Sequence, residues 1–110
     1  MGIIEKNWGK TCKLFNNDSS EFYIAWINKD KQSSKHYHSN KSNYFYVISG
    51  KLKVLEWRSD TILENSLGPG DYLTIEPKIW HQFICIEDCI LVEIYWITIN
   101  DEDIIRDISN

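Results

Sequence analysis

Short apolar runs recur along this chain, each followed by a turn signal, and that punctuation constrains the fold more than any other feature. The runs are Phe22–Ile27, Tyr44–Ile48, Lys51–Trp57, Tyr72–Ile75, Trp80–Ile86 and Ile90–Ile99. Between them stand Asn28-Lys29-Asp30, Ser49-Gly50, Arg58-Ser59-Asp60, Gly68-Pro69-Gly70-Asp71, Pro77-Lys78 and Glu87-Asp88. Strands of this kind with turns every ~8–12 residues predict an all-β sandwich or barrel. In Lys51–Trp57 the alternation of Leu52, Val54 and Glu56 with Lys51, Lys53 and Leu55 sets one side of a strand inward. Ile90–Ile99 is long enough for a helix, but its β-branched and aromatic residues predict a strand buried on both faces. Only Asp101–Ile108 reads as a short helix, capped by Asn100 or Asp101, with acids at the positive end of its dipole. Glu87-Asp88 reads as a hairpin tip, which sets Cys85 and Cys89 opposite each other on two strands.

The 110 residues suffice for one domain, residues 1–110, with a single core and no staples. Twelve basic against sixteen acidic residues leave a net charge of -4. Nucleic-acid and anionic-membrane binders carry the opposite imbalance, so neither partner is expected. No apolar run approaches the roughly 18 residues of a membrane helix. Glu5, Asn7 and Trp8 interrupt the stretch where a signal peptide would need unbroken apolar residues. Cys12, Cys85 and Cys89 are an odd and sparse set, which predicts reduced thiols and a cytoplasmic protein rather than a disulfide framework.

Histidine is scarce, and its placement is the chemical signal. His36 and His38 stand two apart, so on an extended segment both imidazoles point to one face. That spacing lets two nitrogens converge on one metal ion. His81 follows the turn at Pro77, on a different predicted strand.

The frame around the histidines extends the signal. Asn43 and Gly50 follow His38; Gly68-Pro69-Gly70-Asp71, Ile75, Pro77 and His81 come downstream. This arrangement resembles the two-motif signature of the cupin superfamily, His-x-His…Glu…Gly and Pro-x-Gly…Pro…His, over residues 34–83. The resemblance implies a double-stranded β-helix, or jelly-roll, barrel. Its inward side chains would surround a divalent metal ion at His36, His38, Asn43 and His81. Zinc is the first expectation, with iron, manganese or nickel as alternatives. Gly50 would allow a tight turn between the two strands it joins. Asn43 stands where the family carries glutamate and offers a neutral, weaker oxygen.

The termini carry a narrower resemblance. Glu5-Lys6-Asn7-Trp8-Gly9-Lys10, Tyr46-Val47-Ile48-Ser49-Gly50 and Asn100-Asp101-Glu102-Asp103-Ile104-Ile105-Arg106 resemble segments of the cupin domain of type II phosphomannose isomerases. That family has Gln at the position of His36, Glu at Asn43, Arg at Lys41 and His at Tyr44. The resemblance implies metal-dependent interconversion of mannose 6-phosphate and fructose 6-phosphate, with Arg106 and Lys41, and then Lys10, holding the phosphate. Glu93 and Tyr44 have the right residue types for the base. Two other readings stand beside it. Three histidines without a carboxylate suit an iron dioxygenase-type cupin, and loss of the glutamate suits a non-catalytic cupin that binds a small sugar. A small sugar or sugar phosphate is the expected partner. Exposed strand edges predict a homodimer.

Overall fold

The computed structural model describes residues 2–97, which form strands, turns and loops without a helix. The predicted helix Asp101–Ile108, its cap at Asn100 or Asp101, and Arg106 lie outside the described residues. Seven strands follow in order: β1 Ile3–Lys6, β2 Gly9–Asn16, β3 Ser20–Ile27, β4 Ser42–Arg58, β5 Thr61–Leu67, β6 Tyr72–Ile75 and β7 Trp80–Trp96. All pairings are antiparallel. The fold is a jelly-roll barrel, as the motifs imply.

Two long strands build it. The first half of β4 pairs with β6 on one side and with the second half of β7 on the other, and β7 passes on to β3, β2 and β1. The second half of β4 pairs with the first half of β7 and with β5. Each long strand therefore lies in both layers and bends between them, the usual way a chain turns a corner without breaking its ladder.

The bend is local and chemical. The register of β4 against β7 shifts at Val47/Ser49, Ser49/Lys51 and Lys51/Leu52. Gly50 sits there at φ 87°, and a Cβ at this position would collide with the carbonyl oxygen of Asp88 on β7. Ser49-Gly50 is therefore a corner inside one strand, not a turn between two. Glu87-Asp88 is its counterpart on β7, not a hairpin tip. Cys85 and Cys89 consequently share a strand, aligned with Leu52 and Ile27 respectively, and both are free thiols.

Inward positions follow strand parity. Ala25, Ile27, Phe45, Val47, Leu52, Val54, Leu67, Ile75, Phe83, Cys85, Cys89 and Leu91 form one core. Leu52, Val54 and Glu56 are all buried, so the predicted alternation in that run matches. The described part of the run Ile90–Ile99, which ends at Ile97, departs from expectation. Cys89, Leu91 and Glu93 face the core, whereas Ile90, Val92 and Ile94 are only half-buried on the outer face, because this part of β7 lies in one sheet layer.

Candidate metal centre

The segment that carries His36 and His38 is held as if it were a further strand. Asp30 donates its N–H to the Cys85 carbonyl at 2.9 Å, Ser33 to the Phe83 carbonyl at 3.0 Å, and His36 to the His81 carbonyl at 3.0 Å. His81 returns a bond to the His36 carbonyl at 2.8 Å, and Lys78 donates to the His38 carbonyl at 2.7 Å. The segment thus tracks the free edge of β7. Its odd-even parity turns His36 and His38 together while Lys35 and Tyr37 go the other way, onto Trp57 and Trp80.

The three imidazoles meet. Their candidate ligand nitrogens all lie within 4.8 Å of one another. His36 Nδ1 lies 2.8 Å from the Ser34 carbonyl and His81 Nδ1 lies 2.9 Å from the Ile79 carbonyl. A carbonyl only accepts, so each Nδ1 carries the proton and each Nε2 is left as a bare donor atom for a metal. His38 Nε2, His81 Nε2 and the Asn43 side-chain oxygen are buried and have no hydrogen-bond partner among the described residues. Buried polar atoms without partners are rare, and three converging at one place fit a cation that would satisfy them together.

Electrostatics favours the ligand form. Burial, and then the neighbouring His36 and His81, hold His38 down at about 4. Burial likewise lowers His81, against the opposing pull of the Ile79 carbonyl. Both rings are therefore neutral at physiological pH, as metal binding requires. The donor set fits a divalent ion: three imidazoles and a neutral amide oxygen, with Asn43 only 1% exposed.

His36 and His38 open onto a cavity of about 350 Å³, with His81 behind them. Trp8, Tyr23, Phe45, Phe83 and Tyr95 give it aromatic walls, and Lys6, Glu21, Lys41 and Glu93 bring charge. Lys41 stands at the rim, 46% exposed, with its Nζ 2.7 Å from Glu21 Oε1. That lysine, with the Tyr23 hydroxyl and Lys13 and against the upward push of burial, holds Glu21 down at about 2. Lys10 lies outside, over the ring of Trp26, and Tyr44 stacks on Tyr72 away from the cavity lining. Glu93 lies inside. Glu21, Tyr23 and Tyr95 were not singled out in the sequence. Their signal was parity: Glu21 and Tyr23 continue the inward rows of Ala25 and Ile27, and Tyr95 that of Leu91 and Glu93.

Comparison with known proteins agrees with this architecture. The KdgF structure from a Halomonas species superposes with a TM-score of 0.76 at 15% identity, covering 93% of this chain and 91% of that one. An RmlC-like cupin from Shewanella frigidimarina gives 0.73 at 24% identity over 92% and 87%. A Bacillus subtilis oxalate decarboxylase variant gives 0.79 at 13% identity, the chain spanning 29% of that longer protein. At these identities the likeness is one of fold. No curated protein matches the sequence. The model of the Cupin domain family matches residues 24–98, which is most of the chain. On that match, the two-motif histidine frame and the jelly-roll that gathers it, the chain belongs to the cupin family.

Proposed function

We propose that this cupin is a divalent-metal enzyme that moves a proton within a small hydroxy-carbonyl compound of the sugar class. Mannose 6-phosphate and fructose 6-phosphate are the first pair to test. The observation that carries the reading is the convergence of three partnerless buried donors, on His38, His81 and Asn43, beside His36 at the wall of a substrate-sized cavity. A bound divalent ion supplies Lewis acidity, polarising a carbonyl and its neighbouring hydroxyl. His36, His38 and His81 would hold it, with Asn43 as a neutral fourth donor. Zinc is the first choice for three neutral imidazoles, with iron, manganese and nickel as alternatives.

The chain's own groups supply the rest. Trp8 and Tyr95 offer aromatic surface to the C–H face of a sugar, and the walls shed water from around it. Lys6 and Lys41 favour an anionic substituent. Phosphate oxygens would compete with Glu21 for Lys41, which gives up a surface-weight ion pair to receive them. The neutral donor set favours a second reading, an iron dioxygenase-type cupin, because iron held by three imidazoles keeps positions open for oxygen and substrate.

Pairing of two copies through the outer face of the larger layer, where Phe22, Ile24, Val92 and Ile94 are half-buried and Tyr46 is exposed, is part of the same proposal. Sedimentation at micromolar concentration tests it.

Elemental analysis of the purified protein, paired with a mannose 6-phosphate to fructose 6-phosphate assay, tests the function. Stoichiometric zinc with turnover supports it. Stoichiometric iron with oxygen uptake replaces it by the second reading. Absence of any bound divalent metal overturns both.

A further inference from the structure

Glu93 is the only charged side chain between Cys89 and Trp96, and it turns inward. It is 7% exposed and lines the cavity. The Tyr95 hydroxyl donates to its Oε2 at 2.6 Å. Among the described residues Oε1 accepts no hydrogen bond, and no ion pair reaches the carboxyl group.

The same fold shows what a structural buried carboxylate looks like. Glu56, 4% exposed, accepts from Arg58 on Oε1 at 2.7 Å and 3.0 Å and from Asn65 on Oε2 at 2.8 Å. Both its oxygens are satisfied and its charge is matched. Glu93 has neither provision, which is costly for a group that does nothing but fill space.

It shares the lining of the cavity with His36, His38 and Asn43. Glu93 aligns with Tyr23 and Phe45 on the flanking strands, and the adjoining rung pairs Tyr95 with Asn43. The Tyr95 ring packs edge-on against His38 with centroids 5.1 Å apart. A compound held at His36, His38 and Asn43 therefore occupies the same cavity that the Glu93 carboxyl group lines.

We infer that Glu93 is the catalytic acid–base of this cavity and that Tyr95 is its positioning residue. The inference rests on the proposed function, which puts a hydroxy-carbonyl compound in the cavity. In an aldose, Glu93 takes the proton from C2. The C2–H bond breaks, an O–H bond forms on Oε1, and the electron pair moves into a C1–C2 double bond and onto the carbonyl oxygen. The C2 hydroxyl proton passes to O1, and Glu93 returns its proton to C1. The product is the ketose, Glu93 ends as it began, and no oxidant or reductant takes part.

The surroundings suit this exchange. Burial raises the Glu93 carboxyl above its ordinary value, while the Tyr95 hydrogen bond and Lys6 pull it down. A carboxylate gains strength as a base when its value is raised. The other titratable groups lining this cavity are Lys6, Glu21, Tyr23, His36, His38, Lys41 and Tyr95.

The test uses the full chain loaded with zinc, fructose 6-phosphate as the probe, and deuterium uptake at the probe's C1 followed by NMR in D2O. Wild type is expected to exchange, Glu93→Gln to exchange at least ~100-fold more slowly, and Glu93→Asp to recover part of the rate. Zinc affinity is expected to stay within about threefold of wild type in both variants. Tyr95→Phe removes a hydrogen bond to the carboxylate, so the acid limb of the pH–rate profile should move to higher pH. In protein labelled with 13C at glutamate carboxyls, the signal lost in Glu93→Gln should titrate above the ordinary glutamate value. Exchange that survives Glu93→Gln overturns the assignment of Glu93 alone. Wild-type zinc protein that takes up no deuterium overturns the proposed function and this inference with it.

Discussion

His36 and His81 exchange two backbone hydrogen bonds, of 3.0 Å and 2.8 Å, and their rings meet edge to face with centroids 4.5 Å apart. The ladder that joins the segment to β7 therefore also sets the distance between two ligands. Backbone pairing brings the rings together before any metal arrives, so little ordering remains for the metal to impose.

Removing one ring should spare the ladder and lose the ion. His81→Ala keeps the peptide groups that bond to His36, so the fold should persist. Loss of an orienting partner behind a ligand alone costs about 10–100-fold in metal affinity, so loss of the ligand itself should exceed ~100-fold. Zinc titration monitored by calorimetry, with circular dichroism as the check on folding, reads both.

Asn43→Glu should act with opposite signs in the two states of the site. With zinc bound, a carboxylate beside three neutral imidazoles should tighten binding at least about tenfold, or ~1.4 kcal/mol. With the metal chelated, the same carboxylate is buried among partnerless atoms and should cost about 1–3 kcal/mol of stability. Thermal melts with zinc and with chelator should bracket wild type from above and below. Equal zinc affinities in the two proteins would show that Asn43 does not face the ion.

Acid should weaken the metal-free protein through His38. Its folded value, about 4, lies below its ordinary 6.5. Between those values the unfolded chain binds a proton that the folded chain refuses, so stability falls as pH drops through this window and is unaffected above it. His38→Gln in chelator should flatten that part of the stability–pH curve measured by urea unfolding.

Gly50→Ala should be strongly destabilising. The added methyl group meets the Asp88 carbonyl, and alanine is also forced to a φ of 87°. Either burden costs about 1–3 kcal/mol at such positions, and together they should lower the urea midpoint more than Gly70→Ala, where a Cβ meets open space.

The parts of this fold that were legible in the sequence are those whose punctuation is covalent. β6 is bounded by Gly70-Asp71 and Pro77, and its predicted limits, Tyr72–Ile75, match. β2 and β5 were not legible: Gly9–Asn16 puts lysines on both faces, and Thr61–Leu67 has a glutamate and an asparagine among few apolar residues. Both lie toward the margins of the sheet, where one face meets solvent and the alternation fades. The corner at Gly50 was misread because a residue at positive φ looks the same in sequence whether it reverses a strand or bends one. At the site, His-x-His parity was readable from two residues. The Glu93–Tyr95 contact was not, because it depends on which face of a long apolar run points inward.

The corner has a consequence for how the molecule comes apart. Because β4 and β7 each run through both layers, neither layer owns a complete set of strands. One layer cannot melt while the other stays intact, since the same two segments would have to be ordered and disordered at once. Heat or denaturant should therefore take the barrel apart in one step, with fluorescence from Trp57 on one layer and Trp26 on the other falling along a single curve.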